Sequence, residues 1–264
     1  MFSLSFKEGM YMQIPEITLK DKVVLITGAS KGMGVAFAVA CAEAGAAVAA
    51  TARSSMKQTA DLVKQATGKK ILTIKADMQK LSDIESMIQA TIEHYGKLDV
   101  LVNNAAIVHI AAITETTVED YNRVIDTNLK GVYFACKYAA QHMIPRKSGV
   151  IINLGSELSH TGAANYTAYS ATKGAVYIFS QALAIELGQY NIRVVTLSPG
   201  PTNTDMCKPI LEDPDRRDLL LNKGVLGRVN EPEDLAPALV FLASDAARNV
   251  TGTSWSVDCG CLAK

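Results

Sequence analysis

The alternation of two hydrophobic periods along the chain limits its fold more than any other feature. Short runs rich in valine, isoleucine and alanine read as seven strands, at Val23–Thr27, Ala47–Ala52, Lys70–Lys75, Leu98–Val102, Gly149–Leu154, Ile192–Leu197 and Ser254–Val257. Between them the apolar spacing changes to three and four residues. That spacing predicts helices over Gly32–Ala44, Ser55–Thr67, Leu81–Tyr95, Val118–Pro145, Thr167–Tyr190 and Pro232–Ser244. Several strands are apolar at nearly every position, as parallel strands covered on both faces are. Strand and helix in turn therefore predict an α/β, doubly wound parallel sheet. Pro237, inside the last helical pattern, has no N–H for the carbonyl of Glu233 and predicts a kink there. No linker, repeat or low-complexity segment divides the chain. The expectation is one domain over residues 14–264, after a short flexible extension of residues 1–13 in which Met10 and Met12 are alternative starts.

Charge and thiols narrow the partners. Lysine and arginine number 26 against 26 acidic residues, which leaves no field to gather nucleic acid or an anionic membrane. No run of about 18 apolar residues offers a membrane span. A small-molecule partner and a cytoplasmic location follow. The cysteines, Cys41, Cys136, Cys207, Cys259 and Cys261, are odd in number and scattered, which favours reduced thiols. Cys259 and Cys261 have no further cysteine or histidine cluster to complete a metal site, so no metal is expected.

In a doubly wound sheet, ligands sit beyond the carboxyl ends of the strands, where the strand order reverses. The turn after the first strand reads Thr27-Gly28-Ala29-Ser30-Lys31-Gly32-Met33-Gly34 and opens a helix. Glycines there let the backbone turn tightly and approach a pyrophosphate at the helix N-terminus. Further on, Tyr169 and Lys173 stand four apart on one helix face, a phenol beside an ammonium. Ser156 lies thirteen residues before Tyr169, whereas Tyr166 lies ten after Ser156 and has no lysine four residues on. Each residue has a bland alternative when taken alone. Ser156 could satisfy a strand end, Asn128 could bond backbone inside a helix, and Asp77 could cap the helix near Ser82. Residues Gly200–Arg228 form one long irregular stretch, the usual form of a lid or binding loop.

Taken together, the glycine turn and Tyr169-x-x-x-Lys173 resemble the short-chain dehydrogenase/reductase family, from about Ile14 to the C-terminus. Asn103-Asn104-Ala105-Ala106 matches the family's Asn-Asn-Ala-Gly, with alanine in the last place narrowing the space beside a nicotinamide. Pro199-Gly200-Pro201-Thr202-Asn203-Thr204 matches its Pro-Gly motif. The resemblance implies a single-domain Rossmann fold and a catalytic set of Asn128, Ser156, Tyr169 and Lys173. It implies cofactor contacts from Gly28, Ser30, Lys31, Gly32, Met33, Gly34, Arg53, Asp77, Met78, Asn104, Ala105, Pro199, Gly200, Thr202 and Thr204, with Tyr169 and Lys173. The reaction implied is hydride transfer between a nicotinamide cofactor and a carbonyl or secondary alcohol. Tyr169 is the acid or base, Ser156 orients the substrate oxygen and Asn128 supports a water-linked proton path.

An ordinary phenol near pKa 10 is a poor base at neutral pH. One lysine charge at about 4.5 Å, with an effective dielectric near 20, would lower it by about 2 to 3 units. Lys173 is expected to supply that charge and to bind ribose. At the end of the second strand Ala52 stands where an acidic residue would favour NAD, with Arg53 beside it and Lys31 near the same corner, so NADP(H) is preferred, with NAD(H) possible. The two long helices carry more apolar positions than one sheet face covers, and the family pairs them across a two-fold axis. A homotetramer is expected, with Trp255 in a second interface. Glu157, His109, His160 and Asn165 in the expected pocket walls hint at a sugar or polyol, or else face solvent. Alternatives are an NAD-dependent sugar or polyol dehydrogenase, an epimerase or dehydratase of the wider family, and a non-catalytic cofactor sensor.

Overall fold

The computed structural model describes residues 15–264; the expected flexible extension over residues 1–13 lies outside the described residues. Strands β1 (Val23–Thr27), β2 (Ala47–Ala52), β3 (Leu72–Lys75), β4 (Val100–Asn103), β5 (Gly149–Leu154), β6 (Ile192–Pro199) and β7 (Ser254–Val257) form one parallel sheet in the order 3-2-1-4-5-6-7. The helices are α1 (Met33–Glu43), α2 (Lys57–Thr67), α3 (Leu81–Tyr95), α4 (Val118–Ile125), α5 (Gly131–Arg146), α6 (Thr167–Gly188), α7 (Lys208–Leu211), α8 (Pro214–Leu221) and α9 (Pro232–Ala243). None among the described residues is long and apolar enough to cross a membrane.

Alternation along each strand feeds two separate cores. Val24, Ile26, Val48, Ala50, Val102, Ile152 and Leu197 pack under α1, α2 and α9, around Phe37, Val63 and Leu239. Leu25, Ala49, Leu101, Ile151 and Val194 face the other way, onto Ile84 and Met87 of α3, Cys136 and Met143 of α5, and Val176 and Leu187 of α6. Helices end where the sequence allows a left-handed residue: Gly68 closes α2 and Gly96 closes α3, each sending its N–H back to the preceding turn.

Four expectations need correction. The pattern over Val118–Pro145 is not one α-helix, because the five residues Asp126–Lys130 form a π-helical turn between α4 and α5, and Asn128 sits in it. The stretch Gly200–Arg228 is not irregular throughout. It contains α7 and α8, the latter capped by Asp213, whose side chain accepts the Arg216 N–H at 3.4 Å. β4 starts at Val100, two residues later than expected, and Asp99 stands just before it at the amino-terminal edge of the sheet. Its carboxylate accepts the Val23 N–H at 2.8 Å and pairs with Lys97 at 2.9 Å and Arg146 at 2.5 Å. Through Pro237, α9 runs on without interruption.

Candidate active site

Strand order reverses between β1 and β4, and a cavity of about 600 Å³ opens over the carboxyl ends of the strands at that point. Its floor begins with the glycine turn. Thr27 Oγ1 accepts the N–H groups of Asn104 and Ala105, each at 3.0 Å, and the Asn104 side-chain amide donates to the carbonyls of Thr27 at 2.9 Å and Gly28 at 3.1 Å. This lacing draws the two loops together until no side chain fits between them. A Cβ at Gly28, where φ is +68°, would stand 2.7 Å from Ala105 Cα, and one at Gly34 only 2.4 Å from the Gly28 carbonyl oxygen. No side chain caps the N-terminus of α1, so its free N–H groups face the cavity. The bare cradle and the uncapped helix fit a dinucleotide pyrophosphate.

The other wall carries the chemistry. Ser156, Tyr169 and Lys173 all line the same cavity as Gly28, Gly32, Asn104 and Thr204. Lys173 Nζ stands 5.6 Å from the centre of the Tyr169 ring and donates to the Leu154 carbonyl at 2.6 Å. Burial pulls the Lys173 ammonium down to about 8. The Tyr169 ring is partly open to the cavity, yet burial pushes its phenol above the ordinary value. The negative charge of Glu157 adds to that rise and the Ser156 hydroxyl opposes it. The expected depression of Tyr169 by Lys173 is thus absent from the protein alone. The lysine is turned to a backbone carbonyl, while a carboxylate lies on the other side.

Ser156 terminates β5 and caps the short turn Glu157–Ser159, accepting the Leu158 N–H at 3.1 Å and donating to Glu157 Oε2 at 2.7 Å. Glu157 pairs in turn with Lys223 Nζ at 3.0 Å, reaching across from the end of α8. Asn128 stands behind the wall rather than in it. Its Oδ1 accepts the Ile107 N–H at 2.9 Å, and its Nδ2 donates to the Ile107 carbonyl at 2.8 Å and to Thr172 at 3.3 Å.

Of the residues singled out in the sequence, Ser30, Lys31, Met33, Arg53, Asp77, Met78, Ala105, Pro199, Gly200 and Thr202 also border the cavity. Gly34 and Asn128 do not. Asp77 forms a local turn by accepting the Gln79 N–H at 3.1 Å, and does not cap α3. Lys31 reaches the carboxylate of Asp205 at 3.0 Å and not the corner of Arg53. A second cavity there, of about 460 Å³, is ringed instead by Arg53, Ser54, Ser55, Lys57 and Lys75. Of the polar wall residues, only Glu157 faces the main cavity. His160 is turned to Ser254 at 3.0 Å, His109 lies near Asp120 at 3.8 Å, and Asn165 is an exposed turn residue with φ of +67°. Lys223, Cys207, Ile210 and Leu220 line the site without having been singled out, because nothing in a loop sequence tells which side chains turn inward.

Comparison with known proteins bears on the same residues. The family profile described as Enoyl-(Acyl carrier protein) reductase matches residues 28–261. An L-rhamnose 1-dehydrogenase (NAD(P)(+)) of Azotobacter vinelandii is 39% identical, over 92% of this chain and 97% of that one. A short-chain type dehydrogenase/reductase from Mycobacterium marinum superposes with a TM-score of 0.89 at 34% identity, covering 94% of this chain and 98% of that one. A structure from Beutenbergia cavernae, with NADP bound at low occupancy, superposes with a TM-score of 0.90 at 32% identity over 94% and 99% of the two chains.

Proposed function

Because the chain belongs to the short-chain dehydrogenase/reductase family and is an NAD(P)-dependent oxidoreductase, we propose that it interconverts a ketone and a secondary alcohol with Tyr169 as proton donor and acceptor. The observation that carries this reading is the convergence of Ser156, Tyr169 and Lys173 on the cavity floored by the glycine cradle. When bound, the nicotinamide supplies or takes the hydride. Tyr169 gives its phenolic proton to the substrate oxygen in reduction and receives the alcohol proton in oxidation. Its raised pKa keeps it protonated at neutral pH, ready to donate. Ser156 holds the substrate oxygen, and Lys173, with Asn104, is assigned to the ribose hydroxyls.

Asn128 contributes by position. With its side chain bound to Ile107 on both sides, it holds the loop after β4 in place. The pyrophosphate is assigned to the backbone of Gly28, Ser30, Lys31, Gly32, Met33 and Gly34 and to Thr204. The adenine is assigned to Asp77 and Met78, and the nicotinamide amide to Pro199, Gly200 and Thr202.

NADP(H) is the preferred cofactor in this reading. Arg53, Lys57 and Lys75 gather three cations and the hydroxyls of Ser54 and Ser55 around one cavity at the end of β2, lined by no acidic side chain among the described residues, which suits a 2′-phosphate. A second reading, a sugar or polyol substrate, is favoured by Glu157 and Lys223 in the wall and by the named activity of the Azotobacter relative. The assembly proposed is a cytoplasmic homotetramer. Val118, Ile178 and Ile185 are exposed by 73%, 60% and 83% on α4 and α6, enough apolar surface to call for a partner. Light scattering giving four times the chain mass checks the assembly. The function is tested by a panel of ketones, alcohols and sugars followed through absorbance of the reduced cofactor; failure of every member with both NADP and NAD refutes it.

A further inference from the structure

A serine hydroxyl has one proton and two lone pairs. At Ser156 the proton goes to Glu157 Oε2, 2.7 Å away, and one lone pair takes the Leu158 N–H. The hydroxyl is thereby tied to Glu157, and Ser156 keeps one lone pair toward the cavity. Glu157 lines the same cavity, is only 7% exposed, and bonds Lys223 through its other oxygen at 3.0 Å. An ionised carboxylate has about four acceptor sites, and Ser156 and Lys223 fill two. It shares the cavity wall with Tyr166 and Tyr169, and its charge raises the pKa of both phenols. The wall therefore presents Glu157 as a charged acceptor beside Ser156. A plain alcohol leaves the remaining acceptor sites of this buried carboxylate unfilled; an anionic group next to the reacting carbon is repelled.

We propose that Glu157 is a specificity residue that selects substrates carrying a hydroxyl on the carbon next to the reacting one. Tyr169 takes the proton of the reacting alcohol and Glu157 accepts from the neighbouring hydroxyl, while Lys223 orients the carboxylate. The proposal rests on the reading of Ser156 and Tyr169 as the site of reaction.

Two pairs of probes test it: trans-cyclohexane-1,2-diol against cyclohexanol, and butane-2,3-diol against butan-2-ol. The wild type should favour each diol in kcat/KM by about tenfold or more, the scale of one buried acceptor left unpaired. Glu157→Leu should erase that ratio. Glu157→Gln, which keeps the shape and one acceptor oxygen, should retain part of it and guards against a folding defect. Calorimetry on cofactor-loaded Tyr169→Phe protein should give the same diol preference in Kd, lost again in the Tyr169→Phe, Glu157→Leu double variant. A diol preference that survives Glu157→Leu, no preference in the wild type, or turnover of neither member of either pair overturns the proposal. Retained turnover in Tyr169→Phe is a different result and overturns the underlying reading of the site.

Discussion

Adding one methyl group to the glycine turn tests how tightly the cofactor cradle is built. In Gly34→Ala the new carbon would lie 2.4 Å from the Gly28 carbonyl oxygen, 2.8 Å from Ala29 Cα and 2.8 Å from the Asn104 amide nitrogen. Carbon and oxygen need about 3.3 Å, so the turn must retreat by roughly 0.9 Å. Gly28 has no room to yield, since it already lies against the backbone of Ala105. Movement therefore loosens the two Asn104 bonds to Thr27 and Gly28. Overpacking costs about 1 to 3 kcal/mol, and two weakened hydrogen bonds about 1 kcal/mol each, while alanine regains up to ~1 kcal/mol of helix propensity. The net loss is about 2 to 4 kcal/mol, or a fall in Tm of roughly 4 to 8 °C for a chain of this size. Gly188→Ala is the control. Nothing lies within 4 Å of its would-be Cβ at the exposed end of α6, so it should gain up to ~1 kcal/mol. Thermal unfolding and a fluorescence titration with NADPH read both variants. A Gly34→Ala protein with wild-type Tm and wild-type cofactor affinity would refute the reasoning.

Arg53→Ala should lower kcat/KM for NADPH by about 10- to 100-fold and leave NADH within about twofold, as steady-state kinetics with the two cofactors will register. Lys173 is held at about 8 against an ordinary 10.5, so from pH 8 to 10.5 the unfolded chain binds more protons than the folded one and stability rises with pH. Denaturant unfolding should show wild type gaining about 2 kcal/mol from this group between pH 7.5 and 9.5, and Lys173→Met lacking that gain. For Asp99, burial pushes the carboxyl up, but Arg146, the Val23 N–H and Lys97 more than offset it and hold it below the usual carboxylate range. Its contribution is present above the ordinary carboxylate pKa and lost as pH falls through the folded value. Asp99→Asn should thus cost about 2 to 3 kcal/mol at pH 7, the gap narrowing below about pH 4.

Local patterns made the sheet legible. β1, β2 and β5 fall on the residues their apolar runs mark, because strands buried on both faces leave no doubt about where the apolar run stops. The glycine turn and the Tyr169–Lys173 spacing were readable for the same reason, since each depends on neighbours along the chain. What a sequence hides is direction. The π turn at Asp126–Lys130 carries no compositional mark, and it sets Asn128 behind the cavity. Lys31 turns to Asp205 and Lys173 to Leu154 because of partners distant in sequence. Glu157 acquires its place from Lys223, sixty-six residues away, and raises the very phenol that Lys173 was expected to lower.

The central claim, that Tyr169 moves the substrate proton, is tested most directly by single-turnover kinetics of Tyr169→Phe beside an independent measure of cofactor binding. Only one oxygen is removed, and the ring that packs 6.4 Å from Tyr166 remains. Fold and NADPH affinity should hold while the hydride-transfer rate falls by about 10² or more. A Tyr169→Phe protein that binds NADPH normally and keeps most of its rate would contradict the account and shift the role to Tyr166.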